Sequence, residues 1–144
     1  MRKKICIIDL ELLSIEGDGF HLMVGAKIGR NKVRLLVDTG ASKSVFDKER
    51  LSDILGIEDF ENMEQLSTGL GTSTMQSQMT EVRTFSIGSI KIKNSQVVVM
   101  DLSHVNESYA ALGDKGIDGV LGSDFLEYHN AVIYYKKPRL KLYY

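Results

Sequence analysis

The residues best suited to chemistry lie where Leu35-Leu36-Val37 runs into Asp38-Thr39-Gly40-Ala41-Ser42. A carboxylate delivered by a buried strand must be paired, hydrogen-bonded or protonated. Gly40 lets a backbone N–H approach that carboxylate where a side chain would obstruct it, and the Thr39 hydroxyl can brace the loop. Such a carboxylate suits the activation of water. Asp beside glycine is also ordinary turn chemistry, so the triplet alone leaves turn and active site evenly open. The flanks shift that balance. Downstream, Gly119-Val120-Leu121-Gly122 is followed by Ser123-Asp124-Phe125-Leu126: two apolar residues, a glycine, then a short helical pattern.

Strands must position these residues. Ile5–Ile15 and Phe20–Ile28 are apolar and β-branched, and Val33–Val37 is continuously apolar except for Arg34. Thr84–Ile87, Ser89–Ile92 and Val97–Met100 read as further strands with Gly88 at a turn. Ala131–Tyr135 and Leu140–Tyr144 flank Lys136-Lys137-Pro138-Arg139 as a final hairpin. Helical spacing occurs at Asp47–Leu55, which stops at Gly56, and at Ser123–His129, with Ser123 as N-cap. Many short strands with one or two short helices predict an all-β fold, a barrel or a closed sandwich.

Composition supports this and narrows the function. The 144 residues suit a single domain spanning 1–144, and a hydrophobic fraction of 43% is ample for a core. A net charge of −1 lacks the electrostatic footprint of a nucleic-acid binder. The single cysteine, Cys6, excludes an intrachain disulfide, and three scattered histidines argue against a metal site. No apolar run approaches a membrane span. Asp9 and Glu11 interrupt the only segment resembling a leader, so a cytoplasmic location is expected. Asp-x-Gly-x-Ser also fits the phosphate loop of actin-like ATPases, but that fold needs two such loops on duplicated lobes. An aspartyl phosphatase needs a second Asp where Gly40 stands. Gly69-x-Gly71 lacks the third glycine of a dinucleotide site.

Together, Leu35–Ser42 and Gly119–Gly122 resemble the retropepsin-like aspartic proteases. The likeness spans about residues 20–135, and the separation of the two motifs matches single-lobe members. The resemblance implies a barrel of the retropepsin, or acid-protease, type that supplies one catalytic aspartate per chain and needs no cofactor. It gives Asp38, Thr39 and Gly40 the catalytic loop and makes Gly119, Val120, Leu121 and Gly122 the supporting strand–helix motif. Asp38 stands in the only Asp-Thr/Ser-Gly triplet, so activity would require a homodimer. Asp118 reads as a turn residue.

Two carboxylates about 3 Å apart share one proton. Their repulsion of about 5.5 kcal/mol, at an effective dielectric of about 20, exceeds the roughly 4 kcal/mol needed to keep one carboxyl half protonated at neutral pH. The resemblance also implies a flap over an extended peptide substrate at Gly69, Leu70, Gly71 and Thr72, without the flap tyrosine of two-lobed relatives. Val45, Leu70, Val120 and Leu121 suggest apolar subsites. In retroviral members the chain termini interleave between protomers, making Leu140–Tyr144 a candidate for pairing across chains. The expected activity is that of an aspartic endopeptidase. The alternative is a non-catalytic peptide-binding or dimerisation module on the same barrel.

Overall fold

The computed structural model describes residues 4–15, 17–62 and 77–144. The expected flap residues Gly69, Leu70, Gly71 and Thr72 lie outside these. The N-terminal apolar run forms two strands, β1 (Ile5–Asp9) and β2 (Glu11–Ile15), not one. Leu10 separates them, buried and donating its N–H to the Pro138 carbonyl at 2.9 Å, and the two strands join different sheets. Strand β3 (Gly19–Ile28) turns at Gly29, in the left-handed region with φ 59°, into β4 (Asn31–Val37).

Beyond β4 come β5 (Val45–Asp47), helix α1 (Lys48–Leu55) and a short β6 (Glu61–Asn62). Asp47 caps α1 by accepting the Arg50 N–H at 3.1 Å, and Gly56 ends it in the left-handed conformation. The three short segments expected between Thr84 and Met100 are one long hairpin, β7 (Gln78–Ile87) and β8 (Ile90–Met100). A second helix follows, α2 (Ser103–Ala111), which the sequence reading passes over. Only Tyr109 of its nine residues is buried, so no apolar stripe announces it. The chain ends with β9 (Gly119–Leu121), α3 (Ser123–Tyr128), β10 (Val132–Tyr134) and β11 (Arg139–Tyr143). Gly122, not Ser123, is the N-cap of α3, and no side chain caps it.

The strand order β3-β4-β9-β5-β8-β7 is closed into a barrel by pairing of β3 with β7, with β2 and β6 continuing it on either side. The fold is therefore a mostly-β closed barrel, as expected, with three short helices among the described residues. Alternate residues of β3, Leu22, Val24, Ala26 and Ile28, turn inward to meet Val33, Leu35, Phe46, Val82 and Phe85 in the main core. A second apolar cluster lies on the other face of the same strands. There Ile15, Met23, Val45, Leu102, Tyr109 and Ile117 are buried, with Leu36 and Val120 packed against them. It gives α2 its place, because Tyr109 anchors that helix.

A separate three-stranded sheet has the order β1-β11-β10. Leu140 and Leu142 are fully buried beneath it. This overturns the expectation that Leu140–Tyr144 offers an edge to a second chain. Strand β11 is central, with β10 on one side and β1 on the other, and Lys4 and Tyr144 exchange two backbone hydrogen bonds of 2.9 Å. Cys6 is buried in β1, as expected of a small apolar residue. Its sulfur occupies the space a side chain at Gly88 would need.

Candidate active site

Two crossing pairings hold the Asp38 loop. Strand β4 runs parallel to β9, Leu35 opposite Gly119 and Val37 opposite Leu121, while β9 also runs antiparallel to β5. The Asp38 N–H continues the ladder to the Leu121 carbonyl at 3.0 Å, and the Ala41 carbonyl accepts the Ser123 N–H at 2.7 Å. The loop thus leaves β4 and is fastened at once to the β9–α3 junction. The structure brings Asp38, Thr39 and Gly40 together with Gly119, Val120, Leu121 and Gly122, residues about eighty positions apart in sequence.

The two glycines of β9 and its end have a steric reason. A side chain at Gly119 would collide with the Val45 carbonyl oxygen, and one at Gly122 would come within 2.8 Å of both the Ala41 and Lys43 carbonyl oxygens. Gly40 is different. A Cβ there would meet only an Asp38 carboxylate oxygen at 3.4 Å, an ordinary contact. The expectation that a side chain at Gly40 would obstruct the carboxylate therefore fails within one chain. The Gly40 N–H does donate to Asp38 Oδ1, at 3.0 Å.

Asp38 is half-buried, and both Thr39 and Gly40 are exposed. Among the described residues the Thr39 hydroxyl has no hydrogen-bond partner, so it does not brace its own loop as expected.

A serine and an aspartate supply the brace instead. Ser44 Oγ accepts the Gly122 N–H at 2.9 Å and donates to Asp124 Oδ1 at 2.7 Å, while the Ser44 N–H donates to Asp124 Oδ2 at 3.0 Å. Burial pushes the Asp124 carboxyl up, but the hydrogen bonds from Ser44 and the Phe125 N–H outweigh it and hold the group below the ordinary carboxylate range. Neither Ser44 nor the role of Asp124 was read from the sequence, since no spacing rule joins a serine and an aspartate eighty residues apart.

Beside this brace lies a cavity of about 410 Å³, lined by Phe46, Phe85, Phe125 and Val97 among others, and by Lys43, Ser44 and Asp124. Of the residues expected at apolar subsites, Val120 and Leu121 line it, Val45 is buried in the second cluster, and Leu70 is outside the described residues.

At the other end of β4, Arg34 is the interruption in the apolar run, and it is buried. Its guanidinium donates to Glu11 through Nε and Nη2 (3.1–3.2 Å), to Asp114 Oδ2 through Nη1 at 2.7 Å, and to the Gly116 carbonyl at 2.9 Å. Its backbone N–H reaches Asp118 Oδ2 at 2.7 Å. Asp118 also pairs with Arg50 at 3.5 Å. Asp118 is thus a structural acceptor where the chain enters β9, at the end of the β4–β9 pair opposite Asp38. The Arg34 guanidinium holds the Asp114 carboxyl below its ordinary range. No group of His, Cys, Asp and Glu among the described residues could hold a metal ion, and no helix among them is long and apolar enough to cross a membrane.

A family model described as "Aspartyl protease" matches residues 24–125, from β3 through the start of α3. The chain belongs to the aspartyl protease family. The solved structure of a retropepsin-like aspartic protease from Rickettsia conorii is 21% identical with a TM-score of 0.58, covering 98% of this chain and 91% of that one. The retroviral protease-like domain of Ddi1 from Leishmania major is also 21% identical, with a TM-score of 0.51 over 81% of this chain and 82% of that one. Both likenesses are of fold. No curated protein matches the sequence.

Proposed function

We propose that residues 1–144 act as one retropepsin-like domain and that the chain is an aspartic endopeptidase working as a homodimer. The observation that carries this reading is the Asp38 carboxylate. It sits at the end of β4, accepts one N–H from Gly40, and lies in a loop whose Thr39 and Gly40 are exposed. Family membership supports a catalytic reading of this loop, and with one Asp-Thr-Gly triplet per chain a two-carboxylate site would take two chains.

In the dimer the two Asp38 carboxyls share one proton and hold a water between them. The ionised carboxylate takes a proton from that water as its oxygen attacks the peptide carbonyl. The protonated carboxyl donates a hydrogen bond to the oxyanion that forms. Return of a proton to the amide nitrogen then breaks the C–N bond. The substrate is a peptide in extended form, and Gly69, Leu70, Gly71 and Thr72 are assigned to the covering flap on the resemblance alone. No metal or other cofactor enters this chemistry. We place the protein in the cytoplasm, with a second copy and a peptide as its partners.

The test is cleavage of a mixed peptide library from pH 3 to 8 by wild type and Asp38→Asn, across a range of protein concentrations. Cleavage lost in the variant, and rising faster than linearly with concentration near the dimer constant, supports the reading. A dimer by light scattering that cleaves nothing favours the binding-module alternative, and a folded monomer under all conditions overturns the two-carboxylate mechanism.

A further inference from the structure

Strand β3 outruns its partner on the side of the Asp38 loop. The last β3–β4 pair is Met23 opposite Leu36, and continuing that register by two residues sets His21 opposite Asp38, where β4 has already given way to the loop. On its other edge His21 is paired with Leu13 of β2. By alternation along β3, His21 shares the face of Met23, so it faces the second apolar cluster and α2 rather than the barrel interior.

There its Nδ1 lies 2.7 Å from the Tyr109 hydroxyl, the rings meeting edge-on at 5.7 Å. Tyr109 is 3% exposed, and its ring is packed among Ile15, Met23 and Ile117. Burial holds its phenol above the ordinary range, Arg34 opposes that shift, and the charges of Asp114 and Asp38 add to it.

The buried Tyr109 hydroxyl has no other hydrogen-bond partner among the described residues. Its hydrogen therefore goes to Nδ1 of a neutral imidazole, which leaves the imidazole hydrogen on Nε2. If the imidazole is charged, Nδ1–H donates to the phenol oxygen and Nε2 still carries a hydrogen. In both states the ring is clamped at one nitrogen and presents an N–H donor at the other. Among the described residues Nε2 has no partner, and His21 is only half-buried.

Resting on the protease reading, the geometry assigns His21, held by Tyr109, the role of a specificity-determining residue beside Asp38. It selects peptides that carry a hydrogen-bond acceptor side chain (Glu, Gln, Asp or Asn) close to the scissile bond. An apolar side chain of equal size would leave the donor without a partner and lose that advantage.

The experiment uses the full chain and peptides identical except for Glu, Gln or Met at each position flanking the scissile bond. Wild type is expected to show a kcat/KM for Gln or Glu roughly tenfold above that for Met at one position. In His21→Phe, which keeps a ring against Tyr109, the ratio should fall to about one. In Tyr109→Phe, which frees the imidazole to rotate, the ratio should fall between those values. A ratio unchanged by His21→Phe overturns the inference and leaves the protease reading standing. So does a wild type with no preference for acceptor side chains, whatever the variants do. A wild type that cleaves nothing beyond Asp38→Asn overturns both.

Discussion

The β4–β9 strand pair ends in two contrasting ways. At the Arg34 end every strong group is matched: a buried guanidinium meets two carboxylates and a carbonyl, and Asp118 is bonded to a backbone N–H and to Arg50. At the Asp38 end the carboxylate has one N–H from its own loop, and the threonine and glycine beside it are exposed. One end is complete within a single chain; the other is prepared for something from outside. Charge saturation marks the part that holds the strands together, and incomplete hydrogen bonding marks the part proposed to act on substrate. A buried charge in a strand is therefore no guide to the proposed site of this protein.

The comparison breaks first at Asp38. Asp38→Asn should reduce peptide cleavage by about three orders of magnitude or more while leaving the denaturation midpoint nearly unchanged. A large loss of stability would show that this carboxylate holds the fold. Arg34→Ala should do the reverse, costing about 3 kcal/mol in urea unfolding, because it strands Asp114 with its charge poorly exposed. A smaller cost, near 2 kcal/mol, is expected for Gly122→Ala, which drives a methyl against two carbonyl oxygens. Its cleavage rate should fall as well, since the Ala41–Ser123 bond beside Asp38 must shift. Ser44→Ala should cost about 1 kcal/mol, measured the same way.

The smallest effect concerns acid. Hydrogen bonds hold the Asp124 carboxyl below its ordinary range in the folded chain. Its contribution is therefore present above the unfolded value, about 3.9, and is lost as pH falls through the lower folded value. Asp124→Asn should show a shallower decline of thermal midpoint between pH 5 and 2 than wild type.

Much of this was legible in the residues. The Val33–Val37 run, the Asp38 triplet and the glycine-bounded pair at 119–122 locate the loop and its neighbour, and the capped helix at Asp47–Gly56 forms where its residue types require. What was illegible depends on contacts between distant segments. Arg34 reads as a flaw in a buried strand until Glu11 and Asp114 are brought to it. Ser44 and Asp124 are unremarkable residues until β5 and α3 meet. The break at Leu10 follows from the two halves of one apolar run joining separate sheets, a choice local pattern does not encode. Helix α2 buries a single side chain, so its place is set by the cluster it covers.

The parallel pairing of β4 with β9 also has a consequence in time. Arg34 and Asp118 are 84 residues apart, and nothing between them substitutes for the partner strand. Closing so long a loop is slow compared with forming the β3–β4 or β7–β8 hairpins, whose strands adjoin in sequence. During synthesis the hairpins can therefore form first, while the Asp38 loop has no Leu121 carbonyl or Ser123 N–H to fasten it until the chain has emerged past that point. The loop is among the last parts of the molecule to take shape, so a nascent chain cannot carry a finished Asp38 site ahead of its own barrel.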